Sequence, residues 1–218
     1  MKSTQQQRLD GSRHLRRGMA SAALSLGLAG LGWLLAGCVP TAVHPFYRAA
    51  EVVQDRALLG VWKDKPDGKD RWTFTPGEGK SYTVEIQSDD QKADFVTHLF
   101  RLGKERFLDL YPVQSGLEEK LQKNPYSVAL IPGHLFFRLR ATEPALRMSS
   151  MGLDWLRQEL KRDPKAIDHI IVSEDRVVLT GGTEAMQAFI TKHLNNAEAW
   201  NEMYEDGLLK VPGEPGVK

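Results

Sequence analysis

The sequence predicts an α+β domain, an antiparallel β-meander with two or three covering helices. Two observations predict it. Between residues 60 and 140, apolar side chains alternate with polar ones in short runs separated by turn residues, the period of half-buried strands. Beyond residue 150 the period lengthens. Leu153, Leu156 and Leu160, and then Met186, Phe189, Ile190, His193 and Leu194, recur at the spacing of one helix face. The apolar fraction of 41% supports a real core, and 218 residues suit one domain with appendages.

Residues 1–37 carry Lys2, Arg8, Arg13, Arg16 and Arg17 against Asp10, a local net charge of +4. The whole chain is at +1, which leaves the remainder at −3. A mildly acidic remainder offers no basic patch for nucleic acid. Met19 to Ala36 is apolar, uncharged and rich in small residues. A basic start, an apolar stretch and small residues before a cut site form a secretory signal. The glycines at 27, 30 and 32 weaken the alternative of an uncleaved membrane helix.

Leu35-Ala36-Gly37-Cys38 holds the only cysteine of the chain, which excludes an intramolecular disulfide and a multi-cysteine zinc site. This run resembles the bacterial lipobox. The resemblance implies cleavage before Cys38, acylation of that residue, and a chain held to a membrane by several acyl chains. Palmitate is among the groups expected there. The Arg16-Arg17 pair lacks the surroundings of a twin-arginine signal, so the general export route is expected. Val39 follows the cysteine where an Asp would imply inner-membrane retention, which favours the outer membrane facing the periplasm.

The sequence divides into a signal peptide over 1–37, a lipidated Cys38 with its tether over 38–58, a single β-rich domain over 59–206, and a flexible tail over 207–218. Val39 to Pro45 has two prolines and no period, and Phe46 to Leu59 reads as a short helix. Trp72 and Phe74 form a strand that stops at Pro76-Gly77. Tyr82, Val84 and Ile86 form the next. Phe95 to Leu102 is a longer strand, with Phe95 and Leu99 on one face and Val96, Phe100 and Leu102 on the other. Gly103-Lys104-Glu105 turns the chain into Phe107 to Tyr111. Leu135, Phe137 and Leu139 share one face of a further strand. Asp163-Pro164 ends the helix of Leu153 to Leu160. Ile170 to Val172 and Arg176 to Thr180 form a hairpin. Thr183 serves as an N-cap, and its helix is expected to dock on the sheet. Trp200, Met203 and Tyr204 suggest another helical turn.

Gly60-Val61-Trp62 resembles the G-x-W opening of lipocalins and related calycin barrels. The resemblance implies a half or full barrel whose end is plugged by Trp62 under a basic side chain, with Arg138, Arg140 and Arg176 all open as that partner. Gly60-Val61-Trp62, Phe107-Leu108-Asp109-Leu110, Pro132-Gly133-His134 and Leu179-Thr180 leading into Thr183 to His193 also resemble a group of uncharacterised bacterial lipoproteins. That likeness implies no activity.

No catalytic constellation, cofactor site or metal site is expected. His98, His134 and His193 lack H-x-x-x-H or H-E-x-x-H spacing, and no G-x-S-x-G occurs. Asp109, between Leu108 and Leu110, is costly on an inward face unless paired; it reads either as a ligand contact or as a solvent-facing carboxylate. Glu118-Glu119-Lys120 and Lys161-Arg162 read as solvated faces. Gly181-Gly182 reads as a strand-to-helix turn. The expected function is a tethered binding module in which Trp62, Trp72, Phe100 and Phe137 contact an apolar small molecule or lipid. The alternative is an interaction protein of the cell envelope with a filled core and no ligand cavity.

Overall fold

The alternating segment closes on itself. The computed structural model describes residues 39–89, 91–113 and 130–213. The leader, the lipobox with Cys38, and Glu118-Glu119-Lys120 lie outside the described residues. In chain order come β1 (Thr41–Ala42), a 3-10 turn at Ala49–Glu51, β2 (Val52–Val53), a second such turn at Arg56–Leu58, β3 (Gly60–Lys63), β4 (Arg71–Pro76), β5 (Ser81–Ser88), β6 (Gln91–Leu102), β7 (Glu105–Pro112), β8 (Leu135–Ala141) and β9 (Ala145–Met151). Then follow α1 (Leu153–Arg162), β10 (His169–Ser173), β11 (Arg176–Leu179), α2 (Thr183–His193), a 3-10 turn at Ala197–Ala199, β12 (Trp200–Glu202) and β13 (Leu208–Lys210).

Strands β3 to β9 pair antiparallel with their sequence neighbours, and β13 pairs with both β9 and β3. The result is a closed eight-stranded antiparallel barrel, the full form of the lipocalin-like alternatives. An eight-stranded barrel has an interior just wide enough for side chains to fill. Cross-strand register sets the inner face. Leu99, Leu108 and Phe137 lie opposite one another across β6, β7 and β8, and Trp62, Trp72 and Ile86 across β3, β4 and β5. Strand β2 takes over from β5 beside the end of β6, at Val52↔Phe100 and Val53↔Leu99.

A second layer covers one side of the barrel. It comprises α1, α2 and a small sheet of order β1-β11-β10, in which β1 runs parallel to β11. Its core joins Phe100, Phe107 and Phe136 of the barrel's outer face to Leu156, Leu160, Met186, Phe189 and Ile190 of the helices. Where strands β6 to β8 run beneath this layer they are therefore buried on both faces. This is why their sequences carry adjacent apolar residues at Leu99-Phe100, Phe107-Leu108 and Phe136-Phe137, which simple alternation does not explain. Helix α2 docks on the sheet as expected from its stripe.

Several expectations give way. The tether is part of the domain from Val39 onward: Val39, Ala42, Phe46 and Val52 are buried, and β1 exchanges backbone bonds with His134 at 2.8 and 2.9 Å. The short helix of 46–59 is two 3-10 turns and β2. The tail is structural through β13, where Leu208 is fully buried. No helical turn follows Trp200; the chain enters β12, paired with the end of β9. The N-cap of α2 is Gly182, and the Thr183 hydroxyl instead donates to Pro45 O at 2.7 Å. Gln187, a polar residue off the Met186-Phe189-Ile190 stripe that periodicity alone would leave to solvent, is buried and donates to Phe46 O at 3.0 Å and to Glu51 Oε2 at 2.6 Å. Both corrections share a cause: the N-terminal segment packs over α2 and supplies acceptors that no local pattern announces.

Candidate functional site

Of the four side chains expected to contact a ligand, Trp62, Trp72 and Phe137 share the core inside the barrel; Phe100 does not join them. Leu99 points inward, so its neighbour Phe100 points outward and stacks on Phe107 with centroids 5.5 Å apart, under the helical layer. Within the barrel Trp72 stacks against Phe74 at 6.2 Å and meets the edge of Phe137 at 5.8 Å. Its indole N–H donates to the Tyr204 hydroxyl at 3.1 Å. Burial pushes the Tyr204 phenol well above its ordinary range, partly offset by the Trp72 bond.

Trp62 sits at the barrel end. Its N–H donates to Leu58 O at 2.8 Å, and Lys210 Nζ lies 5.0 Å from its ring centroid while donating to Ala57 O at 2.9 Å. The basic partner of the G-x-W tryptophan is therefore Lys210, a residue of the expected tail, and none of the three arginines considered. Arg138 lies instead over Trp200 at 5.4 Å and bonds Glu105 at 2.9 Å. Gly60 adopts φ +120, a region side chains avoid, and a Cβ there would lie 3.3 Å from Lys210 Cε. The glycine thus permits the turn that lets lysine reach the ring.

The middle of the interior is close-packed, while Val53, Leu59, Ile86, Phe95 and Leu135 of the same cluster stay partly exposed. Trp72, Phe74, Val84, Leu99, Leu108, Leu110, Phe137 and Leu146 keep no accessible surface, and Trp62 keeps 1%. A ligand cavity of about 300 Å³ or more would leave its lining open to a water-sized sphere. Among the described residues, one inward polar atom has no hydrogen-bond partner: Thr97 Oγ1, on β6.

A polar cluster lies on the outer face of the barrel, beneath the N-terminal segment. Asp109 is 1% exposed; its Oδ2 accepts from Phe46 N at 2.9 Å and its Oδ1 pairs with His134 Nδ1 at 2.8 Å. Tyr111 stacks on His134 and Tyr47 on His98, each with centroids 4.5 Å apart. Burial lowers the affinity of the His98 ring for a proton, opposed by the nearby Asp109 carboxylate and reinforced by His134. Burial, followed by the Asp109 charge, raises the Tyr47 phenol. Asp109 thus ties β7 to the start of β8 and to the segment before β2, a clamp between three distant stretches of chain.

Of the three histidines singled out in the sequence, His98 and His134 converge on Asp109, while His193 is elsewhere. On α2, His193 Nε2 lies 3.7 Å from Glu159 of α1, and Glu159 also pairs with Arg162. Burial lowers the His193 pKa, against the pull of Glu159. Among the described residues no group of three metal-ligating side chains gathers. Tyr47 and Tyr111 escape sequence inspection. The available signal is that period two puts Asp109 on one face with Phe107 and Tyr111, an acid among aromatics that has to be buried and paired. No family model, curated protein or solved structure matches the chain.

Proposed function

We propose that this chain is a lipid-anchored module of the bacterial cell envelope. It is exported by its leader, acylated at Cys38, held on the outer membrane facing the periplasm, and acts by presenting surfaces to an envelope partner. The anchor rests on Leu35-Ala36-Gly37-Cys38 and the apolar stretch before it. The interaction role, without catalysis, rests on the close-packed middle of the barrel: nine inward side chains with at most 1% exposure leave a rigid scaffold rather than a container. Labelling cells with a palmitate analogue tests the anchor. Cys38→Ser is expected to lose all label, and unchanged labelling refutes acylation at that residue.

Carriage of an apolar ligand is the second reading. It is favoured by the closed eight-stranded barrel and by the unpartnered Thr97 hydroxyl within it, a group that a polar atom of a ligand would satisfy. Mass spectrometry of small molecules released from natively purified protein separates the two readings. A stoichiometric lipid-like species supports carriage, and its absence supports the scaffold.

A further inference from the structure

Eight large apolar residues of the described chain are exposed: Val43, Val96, Leu130, Ile131, Ile170, Ile171, Val172 and Leu209. Four of them, Val43, Ile170, Ile171 and Val172, belong to the small sheet or adjoin it, Ile171 on the face opposite Ile170. Register shows how. Thr41 of β1 lies opposite Val178 of β11, and Val178 lies opposite Ile170 of β10. On β11 the flanking Val177 and Leu179 point into the core. Thr41, Val178 and Ile170 therefore face away from it, and Val172, at a bulge of β10, is exposed beside them. On the other side of β1, Gly133 packs on Thr41, which brings Ile131 to the same border.

The first strand of this sheet, β1, begins three residues after Cys38. Three trans peptides separate Cys38 from Thr41, a reach of at most about 11 Å, and strands β1 to β10 are stacked about 4.8 Å apart. Acyl chains on Cys38 would hold this face at a bilayer. The charges nearby select the kind of surface. The hairpin tip carries Glu174 and Asp175 against the single Arg176, so the tip offers no basic cluster to anionic headgroups. Among the described residues, strand β10 is also the sheet's edge. Backbone groups of an edge strand need water or headgroups and do not enter hydrocarbon, which limits the contact to the interface.

We infer that the face formed by β1, β11 and β10, with Ile170 and Val172 at its centre, rests on the zwitterionic lipid surface to which Cys38 is anchored and so sets the orientation of the barrel. The inference rests on the lipid-anchor reading above.

Depth-dependent quenching tests it. The acylated full protein, purified from cells, is reconstituted into vesicles of phosphatidylethanolamine and phosphatidylcholine with brominated acyl chains. Ile170→Trp and Val172→Trp are compared with Lys104→Trp, after subtracting the emission of the native tryptophans. Lys104 lies in the turn after β6, at the far end of β7, about 20 Å along that strand from where β1 docks. The expected result is loss of the added emission at 170 and 172 but not at 104. Acyl label present with no quenching at 170 and 172 overturns the inference while leaving the anchor standing. Equal quenching at all three positions also overturns it. Unquenched emission that changes with protein concentration assigns the strand to a second copy instead. Absence of acyl label removes the anchor and the inference together.

Discussion

Ending the chain at Asp206 removes β13, the strand that closes the barrel. The loss can be built up from the structure. Leu208 is fully buried, and burying a leucine contributes roughly 1.5–3 kcal/mol. Strand β13 pairs at Leu209↔Lys63 and Lys210↔Trp62 on one side and at Leu208↔Leu146 and Leu209↔Ala145 on the other. Each backbone hydrogen bond in these ladders nets about 1 kcal/mol. Lys210 over Trp62 adds about 0.5–1 kcal/mol. The total is at least about 5 kcal/mol, a large share of the 5–15 kcal/mol that holds a typical domain together. Opening the barrel also wets Trp62 and frees the edges of β3 and β9. Urea denaturation followed by far-ultraviolet circular dichroism measures the change. We expect the truncated chain to be unfolded, or to unfold at far lower urea. A midpoint corresponding to a loss of less than about 1 kcal/mol, with an unchanged slope, would refute barrel closure by β13.

Three further outcomes follow from the same geometry. Trp62→Ala is expected to cost about 3–5 kcal/mol in the same melts, since the ring is buried and its N–H bonded; a cost below about 1 kcal/mol removes the end-plug role. Asp109→Ala leaves the Phe46 amide and the His134 ring without their acceptor and is expected to cost about 2–4 kcal/mol, with amide exchange accelerating first over residues 39–47; unchanged exchange there contradicts the clamp. His98 and His193 both bind protons less readily when folded than when unfolded, chiefly because burial disfavours the charged ring. The unfolded chain therefore takes up more protons as the pH falls through the ordinary histidine value of about 6.5, so stability present above that value is lost below it. Replacing both residues by Gln should flatten the dependence between about pH 7.5 and pH 5.5, and an undiminished slope excludes them as its source.

What sequence period could reveal was limited by which contacts are local. The strands from Trp72 to Tyr111 and the two helices were legible because each announces its own inner face, as Tyr82, Val84 and Ile86 do. Strand β9 was not, because Ala145–Met151 places Ser149 and Ser150 at buried positions and so breaks the apolar rhythm. Neither β1 nor β13 carries a readable period: two and three residues are too few, and each is held by partners more than 60 residues away. The same limit governs the site. Trp62 was identifiable from G-x-W, but its cation was sought among strand arginines, because nothing in a Gly- and Pro-rich end marks Lys210 as a strand residue. Phe100 was misassigned to the interior set because it is as apolar as its inward neighbour Leu99.

Burial on both faces of β6, β7 and β8 also bears on what the barrel does. A barrel that only contains a ligand needs a polar exterior, and alternation alone would then describe its strands. Here the outer face of these strands is an apolar seat for α1 and α2, and Asp109 on that face fastens the N-terminal segment over it. The segment so fastened is the one that leads to Cys38. Under the proposed lipid anchor, force imposed at Cys38 would pass through β1, through the Asp109 bonds to Phe46 and His134, and into the central barrel strands. Loosening that clamp should therefore release the N-terminal segment before it unfolds the barrel itself. An anchored module that works by presenting a fixed face needs this coupling, and a soluble carrier does not.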